Sequence, residues 1–206
     1  MLAYQNAEDT PKPEILVPKG LPWFLAAGNP YCDWLFCGTE PAMRVLDTWM
    51  IRTSSEASIL RVQFLLYESE FAGGFIVLDG LELRKARKAE NVALLTAVAT
   101  ADRAGLICWL ANAYDLFCPI VDDEYYLSKM DLNSPFRGRG FGRALVERYV
   151  EEGKNRGYTH YLRDVHANNE FAIRCYRGLG LQISNCTQYR SGKLKYYSMK
   201  YERDNT

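Results

Sequence analysis

Six residues, Arg137-Gly138-Arg139-Gly140-Phe141-Gly142, constrain this chain more than any other stretch. They lie between an apolar run, Tyr125–Leu132, and a segment, Gly142–Arg156, in which Leu145, Val146, Tyr149 and Val150 recur. Spacings of three and four put those side chains on one face of a helix, and Gly157 suits its C-terminal end. A strand, a glycine-rich turn and then a helix bring the first N–H groups of the helix to one point, where the dipole also favours negative charge. Glycines at 138, 140 and 142 let an anion approach the backbone closely. Arg137, Arg139 and Arg143 add charge-assisted contacts suited to phosphate oxygens.

The spacing separates the phosphate-binding loops. A dinucleotide fingerprint needs G-x-G-x-x-G, and here Arg143 stands where its third glycine belongs. A Walker loop needs G-K-[ST] at the helix start, and here the residues are Gly142-Arg143-Ala144. What remains is Arg137-x-x-Gly140-x-Gly142. Charge supports a polyphosphate ligand. The chain is neutral overall, yet residues 127–206 carry fifteen basic and eight acidic side chains, against five and ten in residues 1–80. This basic third is too local for general nucleic-acid binding.

Around the loop the pattern alternates. Tyr158–Val165 reads as a strand, Glu170–Arg177 as a short helix with Phe171, Ala172 and Cys175 facing in, and Leu181–Asn185 and Lys195–Tyr201 as closing strands. Upstream, Leu60–Tyr67 and Phe71–Leu78 read as an antiparallel pair joined by the short link Glu68-Ser69-Glu70, with Gly73-Gly74 able to hold a bulge. The order predicts an α/β (α+β) layered fold, with a mixed central sheet flanked by helices. Residues 1–20, with Pro11, Pro13 and Pro18, read as an extended leader, and Pro41–Met50 as a helix. Residues 81–113 read as one or two helices with a break near Gly105.

A second motif carries a resemblance. Residues 169–181 run N-E-F-A-I-R-C-Y-R-G-L-G-L. With the glycine loop, Asn169, Ala172, Tyr176 and Gly180 make the chain closely resemble a GNAT (GCN5-related N-acetyltransferase) enzyme over residues 125–201, and more loosely over 55–80. The resemblance implies one acyl-CoA N-acyltransferase domain over 1–206. Its core would be 125–201, with an N-terminal extension and helices at 1–54 and a helical insertion at 81–120 before the CoA-binding strand. The cosubstrate would be acetyl-CoA, with no metal, and the acceptor an amine, a small molecule or a peptide.

The resemblance also assigns residues. Met130, Asp131 and Leu132 would splay from the next strand and pair with the pantetheine arm, and the Leu132 N–H would polarise the thioester carbonyl. Gly138, Arg139, Gly140, Phe141, Gly142 and Arg143, with Arg137, would hold the pyrophosphate. Asn169 would bond the pantetheine, and Tyr176 would protonate the departing thiolate. Three positions depart from the family pattern: Leu181 replaces Phe, Pro135 is shifted by one, and Arg163 occupies a strand position that is usually apolar. The alternative is a non-catalytic module of the same fold that binds acyl-CoA as a sensor or docks a partner.

For the general base the sequence offers Glu124, next to Asp122 and Asp123, with Glu68, Glu70 and His166 as further carboxylate and imidazole candidates. The segments 1–54 and 81–120, with Trp23, Trp34, Trp49 and Trp109, are expected to wall the acceptor side or to pack the core. The six cysteines form no C-x-x-C pair and read as mostly buried free thiols. No run of about 18 apolar residues predicts a membrane span. The N-terminal segment lacks the pattern of a secretory signal, which gives a cytoplasmic expectation. A homodimer is compatible with this composition.

Overall fold

The computed structural model describes residues 1–10, 12–97, 103–189 and 194–202. Seven strands form one sheet: β1 (Leu2–Asn6), β2 (Val62–Tyr67), β3 (Glu70–Asp79), β4 (Glu124–Leu132), β5 (His160–His166), β6 (Gln182–Gln188) and β7 (Lys195–Glu202). Their order across the sheet is β1-β2-β3-β4-β5-β7-β6. Only β4 and β5 run parallel; every other neighbouring pair is antiparallel. The helices are α1 (Val17–Gly28), α2 (Tyr31–Leu35), α3 (Thr39–Met50), α4 (Gly80–Ala97), α5 (Arg103–Tyr114), α6 (Phe141–Asn155) and α7 (Glu170–Gly178). Among the described residues no helix is long and apolar enough to cross a membrane.

Period-two alternation divides the core. Phe64, Ile76, Leu78, Tyr126 and Leu162 face one side of the sheet, where they join Trp23 and Phe24 of α1, Leu46 of α3 and Leu83 of α4. Leu65, Phe75, Val77, Tyr125, Leu127 and Tyr161 face the other, under Leu145, Val146 and Tyr149 of α6 and Ile173 and Tyr176 of α7. Glu68 and Ser69, both at positive φ, close the β2–β3 hairpin in the manner of a two-residue primed turn. Gly157, at φ +85°, follows the end of α6.

Several expectations need correction. The first residues are not a leader laid over the surface. They form β1, pairing from Leu2↔Tyr67 to Asn6↔Gln63. This covers the backbone groups that β2 would otherwise present as an open edge. Gly105 does not break its helix: α5 runs straight through it, and nothing packs where its Cβ would be. The inward stripe of α7 is Ile173 and Tyr176, while Phe171 is 57% exposed. The cysteines are not mostly buried. Cys32 alone is buried, and Cys37, Cys108 and Cys186 are exposed. Cys186 lies on the edge strand β6 and Cys37 in the turn after α2, so neither faces the core.

Candidate active site

The site begins where two strands part. β4 and β5 pair only from Glu124↔His160 to Tyr126↔Leu162. Immediately beyond, the β3–β4 register shifts from Ile76↔Lys129 to Val77↔Leu127, which leaves Ser128 as the extra residue of a bulge. A bulge bends its strand and strengthens its twist, so β4 swings away from β5. The carbonyls of Leu127 and Ser128 lose their strand partner, and Arg163 of β5 replaces it. Its Nη1 donates to Leu127 O at 2.7 Å and also to Ser128 O. Arg163 is 8% exposed, so the side chain plugs the base of the split.

Above that plug lies a cleft of about 510 Å³. Met130, Asp131 and Leu132 form one wall, Gly138 and Gly142 the end at the start of α6, and Asn169, Ala172, Cys175 and Tyr176 the wall contributed by α7. Asn169 caps α7, its Oδ1 accepting from Ala172 N at 3.1 Å. Trp23 fixes the far side of β4, its Nε1 donating to Asp131 O at 2.9 Å. Gly140 holds the N-cap of α6 at φ +83°, in the left-handed region. That turn aims the first N–H groups of α6 at the cleft.

Eight of the sequence-predicted residues therefore converge: Met130, Asp131, Leu132, Arg137, Gly138, Gly142, Asn169 and Tyr176. Arg139, Gly140, Phe141 and Arg143 build the turn without lining the cleft. Phe141 is buried against Tyr67, and the Arg139 guanidinium sits 4.5 Å from the Tyr67 ring centre. Arg143 pairs with Glu147 at 2.7 Å on the exposed helix face. Arg137 is held at the rim by Asp131, 2.9 Å away, and by Leu132 O at 2.8 Å. Tyr176 is 1% exposed. Burial pushes its hydroxyl above the ordinary tyrosine value, and the Arg163 guanidinium beside it pulls in the opposite direction.

Glu124 is not part of this arrangement. It opens β4, eight residues before Leu132, about 26 Å along an extended strand. There it pairs with Lys200 Nζ at 2.5 Å and accepts from Val121 N at 2.9 Å. The cleft opens at the C-terminal end of β4, and Glu124 lies at the other end.

A second cavity, missed from sequence, adjoins the first. It lies on the α1–α3 side of the sheet and shares Ala27, Asn29, Arg163, Val165 and Asn169 with the cleft. Aromatic walls come from Phe24, Phe36, Trp49, Phe117, Tyr126 and Tyr196. Of the four tryptophans only Trp49 lines it; Trp34 and Trp109 stack on each other at 4.4 Å. Three buried carboxylates face it, Glu56, Glu90 and Asp164. Burial opposes ionisation of Glu56, but Lys129 Nζ at 3.3 Å, Arg87 Nε at 3.1 Å and the Ser128 hydroxyl hold its carboxyl down at about 2. Glu90, on α4, is pushed up to about 7 by burial and by Glu56. A signal for Glu90 exists in the sequence. With Leu83 and Ala86 it occupies the buried stripe of α4 at spacings of three and four, an unusual place for a carboxylate without a reason.

Comparison with known proteins agrees with this geometry. Residues 66–181, more than half of the chain, match the family model of the acetyltransferase (GNAT) family. No curated protein sequence matches the chain at a significant level. Among solved structures, one described as an acetyltransferase superposes with a TM-score of 0.65 at 15% identity, covering 98% of this chain and 100% of the other. An N-acetyltransferase from Staphylococcus aureus Mu50 gives 0.59 at 18% identity, covering 97% and 99%. A GNAT family acetyltransferase from Elizabethkingia anophelis, solved with acetyl-CoA bound, gives 0.52 at 12% identity, covering 98% and 97%. At such identities the likeness establishes the fold, and with the family match over β3, β4 and the glycine loop it makes this chain a member of the GNAT acetyltransferase family.

Proposed function

We propose that the chain transfers an acetyl group from acetyl-CoA to the amine of an acceptor, by direct attack while both are bound. The observation that carries this reading is that the two cavities adjoin at the split between β4 and β5, with Arg163, Val165 and Asn169 in the walls of both. The glycine turn and the start of α6 suit a pyrophosphate. Past the bulge, β4 lacks β5 as a neighbour, so Met130–Leu132 offers backbone groups to an extended pantetheine arm. The thioester then lies between β4 and α7, with a backbone N–H of β4 to meet its carbonyl oxygen and Tyr176 on the facing helix. The acceptor reaches the thioester from the aromatic chamber.

Tyr176 serves as the general acid: its O–H protonates the departing thiolate. Burial keeps the phenol protonated at neutral pH, the state an acid needs before transfer. Cys175 lines the cleft, and burial raises its thiol as well. A protonated thiol is a poor nucleophile, which favours direct transfer over an acyl-enzyme. The Elizabethkingia relative with acetyl-CoA bound supports the choice of donor.

Thiol release from acetyl-CoA in the presence of a panel of primary amines tests the reading. Turnover above the hydrolysis background is expected. Tyr176→Phe should then lower kcat about 10- to 1,000-fold with little change in coenzyme affinity. Unchanged turnover would remove Tyr176 from the chemistry, and a wild type inert to every amine would refute acetyl transfer to amines.

A further inference from the structure

An amine reaches the chamber mainly as an ammonium ion and must lose a proton before its nitrogen lone pair can attack. Glu124 is at the wrong end of β4, and Glu68 and Glu70 are exposed at the hairpin turn. We propose that Glu90 is the base that takes this proton, in the chamber walled by α1, α3, α4, β4 and β5. The inference rests on the acetyl-transfer reading above.

Geometry comes first. Glu90 lines the chamber that meets the donor cleft at Arg163, Val165 and Asn169. All its hydrogen bonds among the described residues land on one oxygen. Ser55 Oγ donates to Oε1 at 2.5 Å, Glu56 N at 2.8 Å and Ala57 N at 3.4 Å. Three donors on Oε1 fix the carboxyl plane and leave Oε2 to receive a proton.

The surroundings set its basicity. Glu56, from the segment before β2, is ionised between Lys129 of β4 and Arg87 of α4, and both cations pair with it. Across the chamber stand Arg163, Asp164 and His166 of β5, and Asp164 is engaged by Ser198 at 2.5 Å and Tyr126 at 3.2 Å. Glu90 differs from Glu56 in what holds its carboxyl: three neutral donors meet Oε1, and burial beside Glu56 lifts it to about 7. A base with that affinity is largely ionised under mildly alkaline conditions and still binds a proton firmly enough to remove one from an ammonium bound against it.

The protons balance. Glu90 takes one from the ammonium, giving the neutral amine. The nitrogen lone pair attacks the thioester carbon, and the C–S bond breaks with its electron pair on sulfur. Tyr176 gives its proton to that sulfur. The second proton on nitrogen passes to the tyrosinate as the amide forms, and Glu90 later releases its own to solvent.

The test follows kcat against pH with acetyl-CoA and saturating primary amines, from ethylamine to phenethylamine. The wild type should lose activity on acidification, with a limb near pH 7. Glu90→Gln should lower kcat at pH 8 about 10²- to 10⁴-fold and abolish that limb, with coenzyme affinity retained. Should Glu90→Gln fail to fold, Ser55→Ala decides. Loss of a donor to the ionised carboxyl should move the limb upward by about one pH unit. An active wild type whose limb is untouched by either variant overturns the role of Glu90 and leaves acetyl transfer standing. A wild type inert to every amine overturns both.

Discussion

The Arg163 guanidinium donates to the Leu127 carbonyl at 2.7 Å, across the point where β4 and β5 separate. A charged side chain replaces a backbone N–H there, and it holds the split at a fixed width while lying beside Tyr176. Removing it has two consequences. The carbonyls of Leu127 and Ser128 lose their donor, at about 1–3 kcal/mol for each one left unsatisfied. The Tyr176 proton is also held more tightly, because the cation that opposes the effect of burial is gone. Arg163→Met is expected to lower the melting temperature and to reduce kcat at least about tenfold. Arg163→Lys should recover the charge without the planar fork that spans two carbonyls, and so restore only part of either loss. Melting curves and steady-state kinetics on both variants check this.

Gly140 sets the direction of α6 from the left-handed region, at φ +83°, with open space where a Cβ would stand. Crowding therefore contributes nothing to its requirement for glycine; backbone conformation does. Gly140→Ala should cost about 1–2 kcal/mol and weaken acetyl-CoA binding as the turn relaxes. Gly140→Asn should cost less, because a short polar side chain tolerates this conformation better. Isothermal titration with acetyl-CoA, alongside thermal melts, distinguishes the ranking from a simple volume effect, which would penalise Asn more than Ala.

Much of the donor half was readable before any coordinates. The glycine spacing and the Asn169–Gly180 motif are local patterns whose chemistry depends on residues near in sequence, so eight cleft residues could be named in advance. The acceptor half was not readable in that way. Glu56, Glu90, Lys129 and Arg163 come from four separate segments, and only tertiary packing places them around one chamber. Arg163 stood out as a charge within an apolar strand, yet its task depends on a bulge at Ser128 that no turn residue announces. Glu124 lies at the start of β4, and the glycine loop that follows Leu132 marks the other end as the one that opens on the cleft.

The Glu56–Glu90 pair makes stability depend on pH in opposite senses. Glu90, at about 7 when folded against an ordinary 4.5, gains proton affinity on folding. Its contribution is full below pH 4.5 and is lost as pH rises through 7. Glu56, held down at about 2, contributes above pH 4.5 and loses that contribution as pH falls through 2. Between pH 4.5 and 7 Glu90 adds to the slope in the same sense as Asp131 and Asp164, whose carboxyls burial also raises, so the wild type should melt lower as pH rises across that interval. Glu90→Gln carries no proton to lose and should reduce the slope. Melting temperatures at pH 5, 6 and 7 for both proteins would show it, and parallel curves would mean that Glu90 titrates normally.

Gly153 offers a case where local preference and packing disagree. It lies inside α6, where replacing glycine by alanine ordinarily gains about 1 kcal/mol of helix propensity. Here an added Cβ would meet Tyr161 Cε1 at 2.5 Å and Tyr125 Cδ1 at 2.7 Å. Neither ring can swing clear. Tyr125 stacks on Tyr149 with ring centres 5.3 Å apart and 7° between planes. Tyr161 donates to Tyr158 O at 3.0 Å and Val150 O at 3.3 Å. Both side chains are at most 1% exposed. Overpacking of this kind costs about 1–3 kcal/mol, enough to reverse the propensity gain. Gly153→Ala should therefore melt about 2–6 °C below the wild type. Gly153 stands two turns along α6 from Leu145, the last residue of that helix to line the cleft. Turnover well below the melting range should then stay within about twofold of wild type. A rise in melting temperature would show that the tyrosine stack yields, and that α6 sits less tightly on the sheet than these contacts require.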